Sequence, residues 1–382
     1  MLFLNTMSIY LDSGASTRLD PDVRAAIKPY FSDHYANAAS LHKEGQIAHS
    51  AVEKARETIA KSIGAKSHEI VFTSGGTESN NFALKGVGFA NKTNRNHIII
   101  SSVEHECVLN AARFLERQGF KVTALPVDKQ GFVSFDALKK TLSKQTLLVS
   151  IIHGNNEVGT INDLEKIGAL VKEHGALFHT DACQSYTKVP VNVDMMNLDL
   201  VSINAHKIHG PKGVGALYIR GGTAIEPLLH GGGQERGFRS GTLNIPGIVG
   251  FGMAVEAIKH QDFLRMAKLR DLLIDELLSI SGARLNGPRE NRLCNNVNIS
   301  FKAVDGNSLL LQLSDQGIMV STGSACSSEK MHESHVLNAM RVPKQHITSA
   351  IRFSLGKYTT KAEIEQTIRT IKKLIKHMRE VK

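Results

Sequence analysis

The chain has 382 residues, of which 42% are hydrophobic and 21% charged, a composition typical of a globular protein large enough for two domains. No run of about 18 uninterrupted apolar residues occurs, which argues against a membrane span. The net charge of +10 is spread along helical faces, so it favours a solvated basic surface over a nucleic-acid site.

The four cysteines stand at positions 107, 183, 294 and 326, without a CxxC pair or a His/Cys cluster at metal-ligand spacing. This spacing predicts neither a disulfide framework nor a metal site, and it favours a reducing cytoplasm. Taken alone, each cysteine is typical of a small buried hydrophobic residue, and we expect Cys107 and Cys294 in apolar strands. Residues 1–4 lack the pattern of a signal peptide, and Met7 is an alternative start to Met1.

Short apolar runs alternate with helix-like stretches between residues 50 and 220. The runs are 69–73, 97–101, 121–127, 146–152, 176–180, 199–203 and 214–219. Helical patterns between many of them, such as residues 163–174, predict an α/β fold with a mostly parallel seven-stranded sheet and helices on both faces. Such sheets bind ligands beyond the carboxyl ends of their strands, where polar or glycine-rich clusters follow most of these runs.

The pattern changes after a glycine-rich stretch at residues 231–241. A long helical pattern at 248–278 is expected to act as a connector. Shorter strands at 296–301 and 350–354 and helices at 306–316 and 361–379 then predict a smaller α+β domain.

Three polar clusters follow predicted strands of the larger sheet. Small residues at 74–81 precede a helix predicted over 81–88, and their free backbone N–H groups suit a phosphate, although many such turns bind nothing. His105 follows the second strand, and the segment 153–159 follows the strand at 146–152. A lone histidine in such a place is more often structural than catalytic.

An acid and a lysine follow two further strands. Asp181 ends the run at 176–180, and a buried carboxylate there requires a cationic partner. Lys207 stands just beyond the run at 199–203, where a lysine loses its charge readily and forms a Schiff base, although a surface lysine in a turn is the alternative. Together these groups predict a pyridoxal-phosphate (PLP) site: a phosphate cradle, a partner for the pyridinium nitrogen and a Schiff-base lysine.

Eight motifs extend this pattern over nearly the whole chain. They are YLD at 10–12, FTSGGTESNN at 72–81, NNEVGT at 155–160, AHKIHGPKG at 205–213, GGGQERG at 231–237, RSGT at 239–242, SAC at 324–326 and IRFSLG at 351–356. With these motifs the sequence resembles the NifS/IscS-type cysteine desulfurases, members of the class-V aminotransferase family of fold type I PLP enzymes.

The resemblance implies a PLP-dependent transferase fold and a homodimer. The large domain is expected at residues 16–255, and the small domain at 1–15 and 256–382. The implied reaction converts L-cysteine to L-alanine and leaves the sulfur as a persulfide on Cys326. An iron–sulfur scaffold protein or another thiol acceptor then takes the sulfur, and selenocysteine stays open as a second substrate.

The resemblance also implies roles for single residues. Lys207 carries PLP and moves protons, Asp181 pairs with the ring nitrogen, and Cys326 receives the sulfur. His105 is expected to stack on the ring face and to act as an assisting base, and Gln184 and Asn156 are expected near the phenolic oxygen. The other implied cofactor contacts are Gly76, Thr77, Asn204 and His206, with Thr242 from the other subunit. Arg352 and Asn156 are expected to bind the substrate. Asn204 stands where the family often has Ser, and its amide still donates a hydrogen bond.

Two other functions stay open. One is another PLP enzyme of the same fold, such as an aminotransferase, and the other is a non-catalytic PLP-binding protein. Cys326 lies in a stretch of small residues, 321–330, that predicts an exposed loop, and an aminotransferase has no need of such a thiol.

Overall fold

The computed structural model describes residues 8–92, 95–322 and 333–380. The strands in these ranges are β1 (Ile9–Tyr10), β2 (Ile70–Thr73), β3 (His97–Ser101), β4 (Lys121–Leu125), β5 (Thr146–Ser150), β6 (Leu177–Asp181), β7 (Leu200–Asn204), β8 (Gly215–Ile219), β9 (Ala283–Leu285), β10 (Asn296–Phe301), β11 (Ile318–Met319) and β12 (Ala350–Ser354).

The helices in the same ranges are α1 (Pro21–Ile27), α2 (Lys43–Ser62), α3 (Gly76–Asn81), α4 (Val87–Asn91), α5 (Glu106–Arg117), α6 (Phe135–Thr141), α7 (Leu164–Glu173), α8 (Ile245–Ala257), α9 (His260–Leu278), α10 (Gly306–Asp315), α11 (His335–Ala339), α12 (Lys344–Ile347) and α13 (Lys361–Glu380). A π-helical turn, Phe82–Gly86, joins α3 to α4. None of the described helices has the length and apolar character needed to cross a membrane.

Seven strands form the main sheet, in the order β2-β8-β7-β6-β5-β3-β4. Strands β7, β6, β5, β3 and β4 run parallel, whereas β8 pairs antiparallel with both of its neighbours. All seven coincide with the predicted apolar runs, apart from one or two residues at their ends. The prediction of a mostly parallel seven-stranded sheet is therefore confirmed.

Six of the seven strands are buried on both faces, and the edge strand β4 is the exception. Successive side chains in a strand point to opposite faces, so such a strand packs against two hydrophobic layers. In β3, Ile98 and Ile100 pack into one hydrophobic cluster and Ile99 packs into another. The first cluster includes Leu115 of α5, and the second includes residues of α2, α7 and α8. Each fully buried aliphatic side chain of this kind contributes about 1.5–3 kcal/mol, so the helical layers hold the sheet rigid beneath the strand ends.

A second core surrounds a three-stranded antiparallel sheet of order β12-β10-β9. Side chains of α9, α10 and α13 pack against it. Strand β1 pairs parallel with β11, which brings the N-terminal residues to this second core. We propose that the two cores correspond to the two domains predicted above, with the boundaries given there.

Two predicted helix boundaries are wrong. The helix expected at 81–88 begins earlier, at Gly76, directly after Gly75 with a φ of 153°. The helix expected at 248–278 is two helices, because the backbone is extended at Ile258 and Lys259. The Asp262 carboxylate accepts the Lys259 N–H at 3.1 Å, and this cap starts a new helix.

Candidate active site

A cavity of ≈ 250 Å³ opens at the carboxyl ends of β5, β6 and β7. It is lined by Gly14, Ala15, Gly76, Thr77, Asn80, His105, Cys107, Ile152, Asn156, Asp181, Cys183, Gln184, Asn204, His206, Lys207 and Arg352. This set contains all the predicted cofactor and substrate residues except Thr242, whose side chain is exposed and away from the wall. Cys326 lies outside the described residues.

Asp181, the last residue of β6, is buried and held by neutral donors. Its Oδ1 accepts the Cys183 backbone N–H at 2.9 Å, and its Oδ2 accepts the Asn80 side-chain amide at 2.7 Å. Hydrogen bonds from neutral groups fix the carboxylate without neutralising its charge. The carboxylate can therefore pair with a cationic ring nitrogen in the cavity.

His105 caps the N-terminus of α5, and this role determines its tautomer. The Cys107 backbone N–H donates to His105 Nδ1 at 3.2 Å, and the Cys107 Sγ lies 3.0 Å from the same nitrogen. Because Nδ1 accepts, the neutral ring carries its proton on Nε2. Asn80 donates to the Cys107 Sγ at 3.1 Å, so a chain of contacts joins Asp181 to His105.

Lys207 follows β7 and reaches across to the N-terminal segment of the chain. Its Nζ donates to the carbonyl oxygens of Gly14 and of Ala15, at 2.8 Å for the second. Lys188 donates to the Lys207 carbonyl at 3.2 Å, and burial lowers the pKa of Lys188 to about 8. At pH 7 a group with this pKa is still mostly protonated, so Lys188 places a second positive charge close to Lys207.

Gly76, Thr77, Asn204 and His206 form another part of the wall. A Cβ at Gly76 would lie 2.4 Å from the Cys183 Sγ, so only glycine fits there. Burial, with smaller contributions from nearby lysines, lowers the pKa of His206 to about 4, so its ring is neutral at pH 7. A neutral imidazole and an amide can both donate hydrogen bonds to a phosphate.

Arg352, on β12, supplies a guanidinium group that is 3% exposed. Its NH2 group donates to Asp12 Oδ1 at 2.9 Å, and its NH1 group donates to the Asn156 carbonyl at 3.2 Å. Its Nε is buried without a hydrogen-bond partner in the described part of the chain. An unpaired buried donor is costly, which indicates a ligand with a matching acceptor.

These features fit PLP. Asp181 provides a counter-ion for the ring nitrogen, and Lys207 brings a primary amine to the wall for the aldehyde. A Cβ at Gly76 would lie 3.3 Å from the Asn204 amide nitrogen, so glycine leaves space beside this donor for a phosphate. The cavity thus supplies the groups that the sequence predicts for this cofactor.

A family model described as aminotransferase class-V matches residues 9–367. A cysteine desulfurase IscS from Dictyoglomus turgidum is 52% identical over 377 residues, which cover 98% of this chain and 96% of that protein. A second IscS, from Methanosarcina thermophila, is 45% identical over 97% of this chain and 93% of its own length. The chain belongs to the class-V aminotransferase family.

Solved structures place it more closely within the family. A NifS-like protein superposes with a TM-score of 0.92 at 41% identity, over 97% of this chain and all of that one. SspA in complex with cysteine gives a TM-score of 0.84 at 38% identity, over 92% of this chain and all of that one. These relatives confirm the predicted family, fold class, PLP dependence and class of enzyme, whereas the roles of single residues stay predictions.

The sequence does not predict six residues of the wall as site residues: Gly14, Ala15, Asn80, Cys107, Ile152 and Cys183. The prediction that Cys107 and Cys294 lie in apolar strands is wrong, because Cys107 lies in the first turn of α5 and Cys294 in a turn before β10. Burial, with the Asp181 charge adding to it, raises the pKa of Cys183, so this thiol stays protonated and packs against Gly76. Asn80 lies in the motif FTSGGTESNN at 72–81, and this position is the feature of the sequence that indicates a role in the site.

The chain on both sides of the Cys326 segment is fixed next to the cavity. On one side, Ser321 and Arg352 exchange backbone hydrogen bonds of 3.1 and 2.7 Å. On the other, Ser334 Oγ donates to the buried Glu157 carboxyl, and His335 Nε2 contacts the Glu104 carbonyl at 2.9 Å. Both flanks therefore contact residues that line the cavity or adjoin its lining.

Proposed function

We propose that the chain removes sulfur from L-cysteine, forms L-alanine and passes the sulfur to the Cys326 thiol. The observation that carries this proposal is that Lys207, Asp181, His105 and Arg352 share one cavity wall. Relatives named cysteine desulfurase, and a similar structure described as a complex with cysteine, support cysteine as the substrate.

PLP, when bound, withdraws electrons from the α-carbon of an attached amino acid. Lys207 attaches the cofactor and afterwards takes and returns the α-proton through its Nζ. Asp181 keeps the ring nitrogen protonated by means of its buried negative charge. The other residues that hold the cofactor are Gly76, Thr77, His105, Asn156, Gln184, Asn204 and His206, with Thr242 of a second copy.

Arg352 and Asn156 bind the substrate in this proposal. The guanidinium group suits a carboxylate because two parallel N–H donors match its two oxygens. His105, whose Nδ1 accepts the Cys107 backbone N–H, donates from Nε2. This tautomer favours a proton-donating role over the predicted role as a base for the Cys326 thiol.

The sulfur step balances without an added oxidant or reductant. The Cys326 thiolate attacks the sulfur of the substrate, the Cβ–S bond breaks, and its electron pair stays on the substrate carbon, which is then protonated. L-Cysteine and one enzyme thiol thus give L-alanine and one enzyme persulfide. A scaffold protein for iron–sulfur clusters, or another thiol acceptor in the cytoplasm, then takes the terminal sulfur.

Mass spectrometry of Cys326 tests this function. After brief exposure to L-cysteine, the peptide with Cys326 should gain one sulfur, about 32 Da, because a thiolate forms a persulfide there. Cys326→Ser should still bind PLP at Lys207, release almost no sulfide and carry no added sulfur. Cys294→Ser is the matched control that should lose little activity, because Cys294 lies in a turn before β10 and is not part of the cavity wall.

Two results would contradict the proposal. One is an added sulfur on a cysteine other than Cys326, and the other is a serine variant that desulfurates cysteine at the wild-type rate. Formation of pyruvate or glutamate in place of alanine and sulfide would instead identify an aminotransferase. Lys207→Ala is the control for the cofactor, since borohydride should then no longer fix PLP to the protein.

A further inference from the structure

Asp12 is fixed beside Arg352 by backbone pairing. The Ser354 N–H donates to the Leu11 carbonyl at 2.7 Å, and the Ser13 N–H donates to the Ser354 carbonyl at 3.0 Å. These bonds pair Asp12 with Ser354, two residues beyond Arg352 in β12. The pairing therefore fixes the main chain of Asp12 beside β12, and the Arg352 guanidinium group holds its carboxylate.

Among the residues that the structure describes, Arg352 is the one arginine on the cavity wall, and its guanidinium group can donate two parallel hydrogen bonds to a carboxylate. Asp12 Oδ1 occupies its NH2 group at 2.9 Å, while Nε has no partner in the described part of the chain. Nε and NH2 supply the two parallel donors of one side of the fork. A substrate carboxylate that binds Nε and NH2 therefore lies close to the Asp12 carboxylate, which already accepts from NH2, and the two negative charges repel each other.

We propose that Asp12 is a positioning residue that both orients Arg352 and weakens its hold on the substrate carboxylate. The inference rests on the proposed role of Arg352 in substrate binding. Product and substrate carry the same α-carboxylate, so a guanidinium without this counter-charge would bind L-alanine tightly and slow its release. A carboxylate fixed beside the arginine lowers the affinity for both amino acids without disturbing the geometry of the fork.

Two substitutions at one position separate orientation from charge. Asp12→Asn keeps an oxygen that accepts from the NH2 group but removes the negative charge. The holoenzyme should then bind L-alanine about tenfold more tightly, which corresponds to about 1.4 kcal/mol. Asp12→Ala removes the charge and the orienting contact together, so it should bind L-alanine less tightly than Asp12→Asn does.

The measurement is a titration of the holoenzyme with L-alanine, followed by the cofactor absorbance. Ethylamine, which carries the amine without a carboxylate, should bind wild type and Asp12→Asn equally. Asp194→Asn is the matched control, because Asp194 pairs with Arg220 at 2.7 Å outside the cavity, and it should change neither affinity. If Asp12→Asn does not retain PLP, Asp12→Ser supplies a second neutral acceptor for the same titration.

An affinity for L-alanine that stays the same or falls in Asp12→Asn overturns the proposal. An equal rise in the affinity for ethylamine also overturns it, because the effect would then not depend on the carboxylate. The readout needs no sulfur transfer. If wild type produced no sulfide from cysteine, the proposed function would fail, and the titration would still decide the role of Asp12.

Discussion

Glu104 is a buried carboxyl group directly before His105, and its side chain is fully buried. Its Oε1 accepts the Ser101 hydroxyl at 2.6 Å and the Ile152 N–H at 2.7 Å, while Oε2 has no partner in the described residues. Burial raises the pKa of Glu104 to about 8, and the Asp181 charge adds to the effect. The side chain is therefore protonated at pH 7 and joins the ends of β3 and β5 as a neutral acid.

Glu104→Gln should make the stability less dependent on pH. A carboxyl whose folded pKa lies above its unfolded value binds more protons when folded, so wild type loses stability as the pH rises from about 5 to 8. One pKa unit corresponds to about 1.4 kcal/mol, so wild type should lose a few kcal/mol relative to the glutamine variant over this range. Urea unfolding of both proteins at pH 5, 6.5 and 8 measures the difference.

If the free energies of unfolding of wild type and Glu104→Gln differed by the same amount at every pH, Glu104 would be ionised in the folded protein. The buried histidines do not confuse this comparison, because both proteins contain them. Burial lowers the pKa of both His153 and His179 to about 4, so their effect on stability appears as the pH falls below about 6.5. It cancels when the two proteins are compared at one pH.

The sequence predicts those site residues that end a strand or follow it closely. Asp181 and Lys207 could be predicted because buried parallel strands place their carboxyl ends at one edge of the sheet. Asn80 and Cys107 could not, because the hydrogen bond between them and the bond from Asn80 to Asp181 join residues 27 and 101 positions apart. Such contacts depend on tertiary packing, which short-range patterns do not record.

At the scale of elements, one buried ion pair ties the glycine-rich stretch to α2. Arg56 makes two hydrogen bonds of 2.7 Å to the Glu235 carboxylate, and the Phe72 N–H donates to the same carboxylate at 2.7 Å. Glu235 and Arg236 both have positive φ, 51° and 57°, which is unfavourable for residues with side chains. The ion pair holds this strained turn against β2, shortly before Thr242 in the chain.

Glu235→Gln should lower the free energy of unfolding by about 3 kcal/mol or more, because the buried Arg56 charge then keeps only the partly exposed Glu53 as a counter-ion. Glu53→Gln is the matched control, since Glu53 also pairs with Arg56 but is 42% exposed. The control should cost less than about 1 kcal/mol. Urea unfolding of both variants measures the two losses of free energy. Equal losses would show that the buried pair contributes no more to stability than the exposed one.

The elements themselves follow from the sequence where their pattern is long. Six strands of the main sheet could be predicted because each is a short run buried on both faces, whereas the edge strand β4 is largely exposed and could be predicted from its β-branched residues alone. The break between α8 and α9 could not, because the apolar pattern continues through Ile258 while Asp262 caps a new helix. A cap formed by one side chain is hard to recognise in a sequence whose apolar residues keep the helical spacing on both sides of it.

At the scale of the whole molecule, we expect a homodimer in which Thr242 completes the site of the other copy. Thr242 is exposed in the single chain and is not part of the cavity wall, and this supports a contact that is made from a second copy of the chain. An isologous dimer is the commonest closed assembly and would place two such residues symmetrically. Light scattering should therefore give twice the mass of the chain.

A mixed dimer of two variants tests directly whether Thr242 of one chain contacts the cofactor of the other. Thr242→Val should weaken PLP binding about tenfold or more, since a hydrogen bond to a charged group contributes about 1.5–3 kcal/mol. Lys207→Ala cannot fix PLP covalently. When both variants are co-expressed with different tags, the mixed dimer should hold one intact site, with Lys207 from one chain and Thr242 from the other. Borohydride should then fix PLP with wild-type affinity to the Thr242→Val chain, whereas weak binding in the mixed dimer would place Thr242 in the site of its own chain.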